Sequence, residues 1–147
     1  MSNYQPYWDS PDSVAEYSRA PFLLRGERLA LGSEFAAGLK GKRVLDLACG
    51  AGRTTYFLHN MGASVVGVDL AANLIEAARA RYPGIEFRVG DMAELDFEDQ
   101  SFNFVLISFN SLDCLYPKQT RLRALRQVCR VTPTRGLSGT MIVGAAP

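Results

Sequence analysis

A chain of 147 residues, 48% apolar and 21% charged, reads as one folded domain and excludes a disordered polypeptide. Lys and Arg number 16 against 15 acids, a net charge of +1 that gives no global pull toward phosphates. A dedicated nucleic-acid or membrane-surface binder is therefore disfavoured. The three cysteines, Cys49, Cys114 and Cys129, form no CxxC pair, so neither a disulfide framework nor a zinc site is expected. Together with the absence of a basic-then-apolar leader, they predict a reducing, cytoplasmic setting. No window approaches the roughly 18 unbroken apolar residues of a membrane helix.

In chain order, the first forty residues read as a helical cap. Ser10-Pro11-Asp12-Ser13 has the form of a helix start, with a capping hydroxyl, Pro at the first position and an acid near the positive end of the dipole. That helix is expected to run to about Ser18, and a second from Phe22 to about Leu39, weakened by Gly26 and Gly32. From Arg43 the pattern changes to short apolar strands alternating with helices. Val44–Leu47 is the first strand, Arg53–Met61 a helix closed by Gly62, and Ala63–Val68 the second strand. An Ala-rich helix, Ala71–Tyr82, stops before Pro83. Ile85–Val89 and Phe102–Ser108 are the third and fourth strands. Pro117–Val131 is an amphipathic helix with Leu122, Leu125, Val128 and Cys129 on its apolar face, and Thr140–Val143 is a candidate fifth strand. Such alternation predicts βαβ units and a doubly wound, mostly parallel, Rossmann-like α/β sheet. Residues 1–147 then form a single domain, with 1–40 as the cap and 41–147 as the core.

In an open parallel sheet, ligands bind beyond the carboxyl ends of the strands, so the loops there carry the chemistry. The first, Asp46-Leu47-Ala48-Cys49-Gly50-Ala51-Gly52, is small enough for a ligand to approach its backbone, and the next helix aims free N–H groups at the same place. A tight strand-to-helix turn is the plain structural alternative. Asp69 ends the second strand, where a carboxylate can accept both hydroxyls of a ribose or simply cap the following helix. Gly90-Asp91-Met92 places a carboxylate able to accept from a base's exocyclic amine beside an apolar thioether; Leu70 and Met92 can face the ring.

Taken together these motifs resemble the class I S-adenosylmethionine-dependent methyltransferases. Val44-Leu45-Asp46-Leu47-Ala48-Cys49-Gly50-Ala51-Gly52 is similar to the first motif of that family, V-L-D-x-G-C-G-x-G, with Ala48 in place of a glycine. Val66-Gly67-Val68-Asp69 resembles its second-strand acid, Val89-Gly90-Asp91-Met92 its third-strand motif, and Ser101-Phe102-Asn103-Phe104-Val105 its F-D-x-V opening with Asn103 for the acid. The resemblance runs from about Val44 to Val131. It implies S-adenosyl-L-methionine as cofactor, no metal and a small-molecule methyl acceptor. Asp46 and the backbone of Ala48, Cys49, Gly50 and Gly52 would face the cofactor's methionine part. Asp69 would take the ribose, and Asp91 the adenine amine between Leu70 and Met92. Ser108 and Phe109 would lie beneath the methionine and the sulfonium. Tyr7-Trp8-Asp9 and Tyr17 resemble the cap of small-molecule members, in which a tyrosine reaches the cofactor's carboxylate.

No catalytic residue is assigned. A sulfonium is already an activated methyl donor, so alignment of the acceptor suffices unless that acceptor must lose a proton. Asn110, Asp113 and Tyr116 are candidate acceptor contacts. His59 reads as a surface residue, Cys49 as small packing, and Lys118, Arg121, Arg123, Arg126 and Arg130 as a solvated helix face. Beyond Val131 the resemblance fades, and the strands that family members add there are not found before Pro147. A cofactor-binding module without turnover is the second reading. A nicotinamide enzyme is the third, disfavoured because Thr55 stands where the last fingerprint glycine belongs. An open edge at Met141-Ile142-Val143 predicts either a homodimer joined near residues 137–147 or a disordered tail.

Overall fold

The computed structural model describes residues 5–19, 22–32, 38–108, 111–133 and 140–143. Its centre is a five-stranded sheet in the order β3-β2-β1-β4-β5. The strands are β1 (Arg43–Leu47), β2 (Ser64–Asp69), β3 (Glu86–Val89), β4 (Phe104–Ser108) and β5 (Thr140–Val143). Every pairing is parallel, with Leu45 opposite Val66 on one side and Val105 on the other. The chain steps outward from β1 to β2 to β3 and then crosses back to β4, so strand order reverses between β1 and β4. That switch point leaves a crevice at the carboxyl ends of the strands.

The expected alternation is present. Helices α4 (Arg53–Asn60) and α5 (Ala72–Arg81) follow β1 and β2, and α6 (Lys118–Val131) precedes β5. Residues of one parity on the strands, Leu45, Leu47, Val66, Val68, Val105 and Ile107, pack with Val128 and Val131 of α6. The other parity, Val44, Val65 and Leu106, packs with Leu58 of α4 and with Leu31 and Leu39. Both faces of the sheet are thus covered, which is why the strands read as continuous apolar runs. Asn103 replaces an acid without loss of structure. Its side-chain oxygen accepts from the Arg43 N–H (2.8 Å) and its own N–H donates to the Arg43 carbonyl (2.8 Å), extending the β1–β4 ladder.

Four expectations are corrected. The cap holds one more helix than expected, α1 (Gln5–Trp8), before α2 (Pro11–Tyr17), which is capped as read by the Ser10 hydroxyl accepting from the Ser13 N–H. The long second helix is instead α3 (Arg25–Ala30), followed by a turn at Leu31; residues 33–37 of the expected span lie outside the described residues. A Cβ at Gly32 would sit 3.2 Å from the Leu29 carbonyl, so glycine suits the end of α3. On α6 the buried stripe is Ala124, Val128 and Val131, at steps of four and three. Leu122 is 45% exposed and Cys129 is exposed, so neither belongs to the apolar face. Arg130 of the supposed solvated face reaches inward instead, donating to the carbonyls of Leu95 (2.8 Å) and Phe97 (2.6 Å).

Candidate active site

The turn after β1 carries three residues in the left-handed region, Ala48 (φ 56), Gly50 (φ 55) and Gly52 (φ 83). This conformation disfavours a Cβ by about 1–2 kcal/mol, so Ala48 holds strain at the position where the family motif has glycine. The two glycines serve different ends. A Cβ on Gly50 would meet nothing within 4 Å, because this part of the turn faces open space. A Cβ on Gly52 would fall 2.7 Å from Cζ of Phe87, so Gly52 is small for packing and does not line the crevice.

Asp46 lies beneath the turn and is fully buried. Its Oδ2 accepts from the hydroxyls of Thr54 and Thr55, each at 2.7 Å, while Oδ1 has no partner among the described residues. Burial pushes its pKa up to about 6, against the pull of the two hydroxyls and of Arg53, with Glu27 adding a smaller push upward. Asp46 is therefore not a wall of the crevice as the motif resemblance implied. It fastens the start of α4 under the glycine turn. Thr55, in the place of a third fingerprint glycine, exists here as its ligand.

Asp69 ties two loops together. Its Oδ2 accepts from the Gly50 N–H (2.8 Å) and its Oδ1 from the Ala71 N–H (2.9 Å). A carboxylate oxygen accepts about two hydrogen bonds, so each retains a lone pair for a ligand hydroxyl. Burial raises its pKa, and the N–H groups of Ala71, Gly50 and Leu70 counter that. Asp91 is arranged alike: Oδ1 accepts from the Ala93 N–H (2.8 Å), with the second oxygen left over.

These loops enclose a cavity of about 340 Å³, within the size range of small-molecule sites. Of the residues singled out in the sequence, Tyr17, Ala48, Cys49, Gly50, Asp69, Leu70, Asp91, Met92 and Ser108 line it. Asp46 and Gly52 do not, and Phe109 lies outside the described residues. Asp113 and Tyr116 also stand away from it, Tyr116 being 76% exposed; Asn110 is not described. Cys49 is buried against Ile75, Ala78 and Phe87, and burial holds its thiol well above the ordinary range, as befits packing and not a nucleophile.

The opposite wall is formed by Trp8 and Tyr17 from the cap and by Ser111, Cys114 and Leu115 after β4. Trp8 and Tyr17 meet edge to face at 5.4 Å and pack on Ala51, Ala71 and Leu74. Asp9 anchors them: its Oδ1 accepts from the Asn73 N–H (3.1 Å) and its carbonyl from the Asn73 amide (2.7 Å), at the start of α5. Burial raises the Tyr17 pKa, so its hydroxyl stays protonated and is able to donate. Arg53, which none of the sequence motifs singles out, also lines the cavity. Its signal was present: a cation at the first position of a helix opposes the dipole, so something else must hold it there. That partner is Glu27 of α3, buried, with Oε1 and Oε2 accepting from Arg53 at 2.7 and 2.5 Å.

The pocket suits a nucleoside bearing an amino acid. Gly50 leaves space where any Cβ would intrude, and two half-satisfied carboxylates stand one strand apart. Among the described residues no cluster able to hold a metal occurs, and no helix is long and apolar enough to cross a membrane. Residues 44–136 match a family model described as a methyltransferase domain. A demethylmenaquinone methyltransferase of Renibacterium salmoninarum is 36% identical over 96 residues, 65% of this chain and 39% of the relative. Among solved structures, the PH0226 protein of Pyrococcus horikoshii OT3 superposes with a TM-score of 0.65 at 31% identity, covering 76% of this chain and 51% of that one. A SAM-dependent methyltransferase of Methanosarcina mazei gives a TM-score of 0.58 at 30% identity, covering 64% and 49%. The chain spans less than half the length of the curated relatives it matches.

Proposed function

The chain belongs to the S-adenosylmethionine-dependent methyltransferase family, and from that premise we propose that it transfers a methyl group to a small-molecule acceptor. The observation that carries this reading is the convergence of four strand-end loops on one cavity with Gly50, Asp69 and Asp91 in its wall. When bound, the cofactor supplies a methyl group on a positively charged sulfur. The protein's own part is placement. Asp69 orients the ribose while holding the Gly50 backbone, and Asp91 with Leu70 and Met92 receives the adenine. Trp8, Tyr17 and Leu115 close the far wall and exclude water from the acceptor.

The described lining offers the acceptor little help with its proton. It holds no His or Lys, the remaining acceptor capacity of both carboxylates goes to the ribose and the adenine in this reading, and Tyr17 stays protonated. The acceptor is thus a compound whose nucleophilic atom is available without a strong base, such as a phenol, an enol or a thiol. The apolar, aromatic wall supports a small molecule over a nucleic acid. Three cysteines with no CxxC pairing support a reducing cytoplasm. As β5 pairs only with β4 among the described residues, its outer side supports the homodimer, which sedimentation at several concentrations tests.

Titration calorimetry with S-adenosylmethionine, S-adenosylhomocysteine and NAD, followed by a methyl-transfer screen on phenols, enols and thiols, tests the reading. Binding of the first two with transfer is expected. Binding without transfer to any acceptor supports a module lacking turnover, and binding of NAD alone overturns the assignment.

A further inference from the structure

The charged side chains lining the cavity among the described residues are Asp69, Asp91 and Arg53. The two acids suit hydroxyls and an amine, which leaves Arg53 as the one cation in the described lining to balance the cofactor's carboxylate, with the Tyr17 hydroxyl as a neutral donor beside it. The guanidinium has five N–H groups in a fixed fork. Three are committed: Nη1 donates to the Phe22 carbonyl (2.9 Å) and to Glu27 Oε2, and Nη2 donates to Glu27 Oε1. Nε–H and the second Nη2–H have no acceptor among the described residues. We propose that Arg53 binds the carboxylate at the amino-acid end of the cofactor, and that Glu27 is the positioning residue that aims it.

Three further features support the assignment, which rests on the cavity being the S-adenosylmethionine site. Arg53 follows directly on the glycine turn and opens α4, whose first N–H groups point the same way, so a carboxylate there meets donors of two kinds. The pair stays ionised. Burial alone would raise the Glu27 pKa, but the bonds from Arg53 and from the Leu24 N–H outweigh it, and the carboxyl is held below the usual range. Being neutral as a unit, the pair contributes geometry more than charge, and it suits a zwitterionic amino-acid end. Finally, Glu27 also accepts from the Leu24 N–H (2.8 Å), so one carboxylate ties the start of α3 to the cofactor turn.

The experiment compares S-adenosylhomocysteine with its decarboxylated analogue, which keeps the adenosine, the thioether and the ammonium. Affinities of the full chain and of Arg53→Gln, Arg53→Lys and Glu27→Gln are measured by calorimetry, with thermal unfolding of the same samples. The unmodified chain is expected to prefer the carboxylate-bearing ligand by about tenfold or more. Arg53→Gln should erase that preference by weakening S-adenosylhomocysteine while leaving the analogue unchanged. Arg53→Lys should keep part of it, and Glu27→Gln should fall between. Equal weakening of both ligands, or a native chain that does not discriminate, overturns the assignment and leaves the cofactor site standing. A native chain that binds neither ligand overturns the site itself. If Arg53→Gln fails to fold, Arg53→Lys carries the same comparison.

Discussion

The two walls of the cavity are built by opposite means. On the side of β1, β2 and β3, each functional carboxylate is held by a backbone N–H from its own or the adjoining loop: Asp69 by Gly50 and Ala71, Asp91 by Ala93. The geometry follows from turns only a few residues long. On the far side, Trp8 and Tyr17 rest on Ala51, Ala71 and Leu74 through apolar contact and are pinned by the Asp9–Asn73 pair and by Arg81, which donates to the Ser18 carbonyl. One wall is a rigid polar mould and the other a packed aromatic cover. If the proposed function holds, local backbone geometry recognises the nucleoside and long-range packing the acceptor, and the two specificities can vary separately.

Substitutions can break this division or sharpen it. The largest effect is expected at Gly50. Gly50→Val fills the space the turn keeps open and should reduce cofactor binding below detection by calorimetry. The strained φ costs about 1–2 kcal/mol of stability, and far-UV circular dichroism should stay native. Outright unfolding would mean that the glycine serves the turn alone. Next comes Asp69→Ala, which removes the ribose acceptor and leaves two N–H groups without their partner. Cofactor affinity should fall by about 1.5–3 kcal/mol, and an unchanged dissociation constant would remove Asp69 from the site.

Asp46 probes the foundation of the polar wall. Its pKa in the folded chain, about 6, lies above that of an ordinary Asp, near 3.8, so the folded state binds the proton more tightly than the unfolded one. Its contribution to stability is therefore full below pH 4, declines as pH rises toward 6, and is level above. The loss amounts to about 2–3 kcal/mol. Asp46→Asn should flatten that slope, and the difference in denaturant midpoint between variant and native chain should grow from pH 4 to pH 6; a constant difference would refute the buried-acid assignment. The smallest effect on the polar wall should come from the cover. Trp8→Ala should weaken acceptor binding, read as KM, while cofactor affinity moves by less than about threefold. A large loss of cofactor affinity would show that the walls are one unit.

Much of this was legible in the sequence, for a physical reason. Strand runs covered on both faces and small left-handed turns are local properties, and they place Gly50, Asp69 and Asp91 without reference to the rest of the chain. What escaped depends on distance. Glu27 reads as an ordinary helix acid until α3 meets α4 and Arg53 claims it. Asp46 belongs to the motif yet points away from the crevice, because strand parity sends it under the turn to two threonines. Leu122 and Cys129 fit a helical stripe, but the sheet selects the face one step round, through Ala124.

The ring of Phe87 has a consequence of its own. A Cβ on Gly52 would come within 2.7 Å of its Cζ, and one on Gly67 within 2.7 Å of its Cδ1, so the same aromatic plane sets the size limit for a turn and for a neighbouring strand. These three positions share one volume, which Tyr82 and Cys49 also border. An alanine at Gly67, where the backbone itself allows it, needs residue 87 to give up part of its ring and Cys49 Sγ, 3.0 Å from that Cβ, to give way slightly, whereas Gly52, at φ 83, stays bound to glycine by its backbone as well. In a selection for folded variants, changes at 67 should therefore arrive together with a smaller residue at 87, and changes at 52 should not arrive at all.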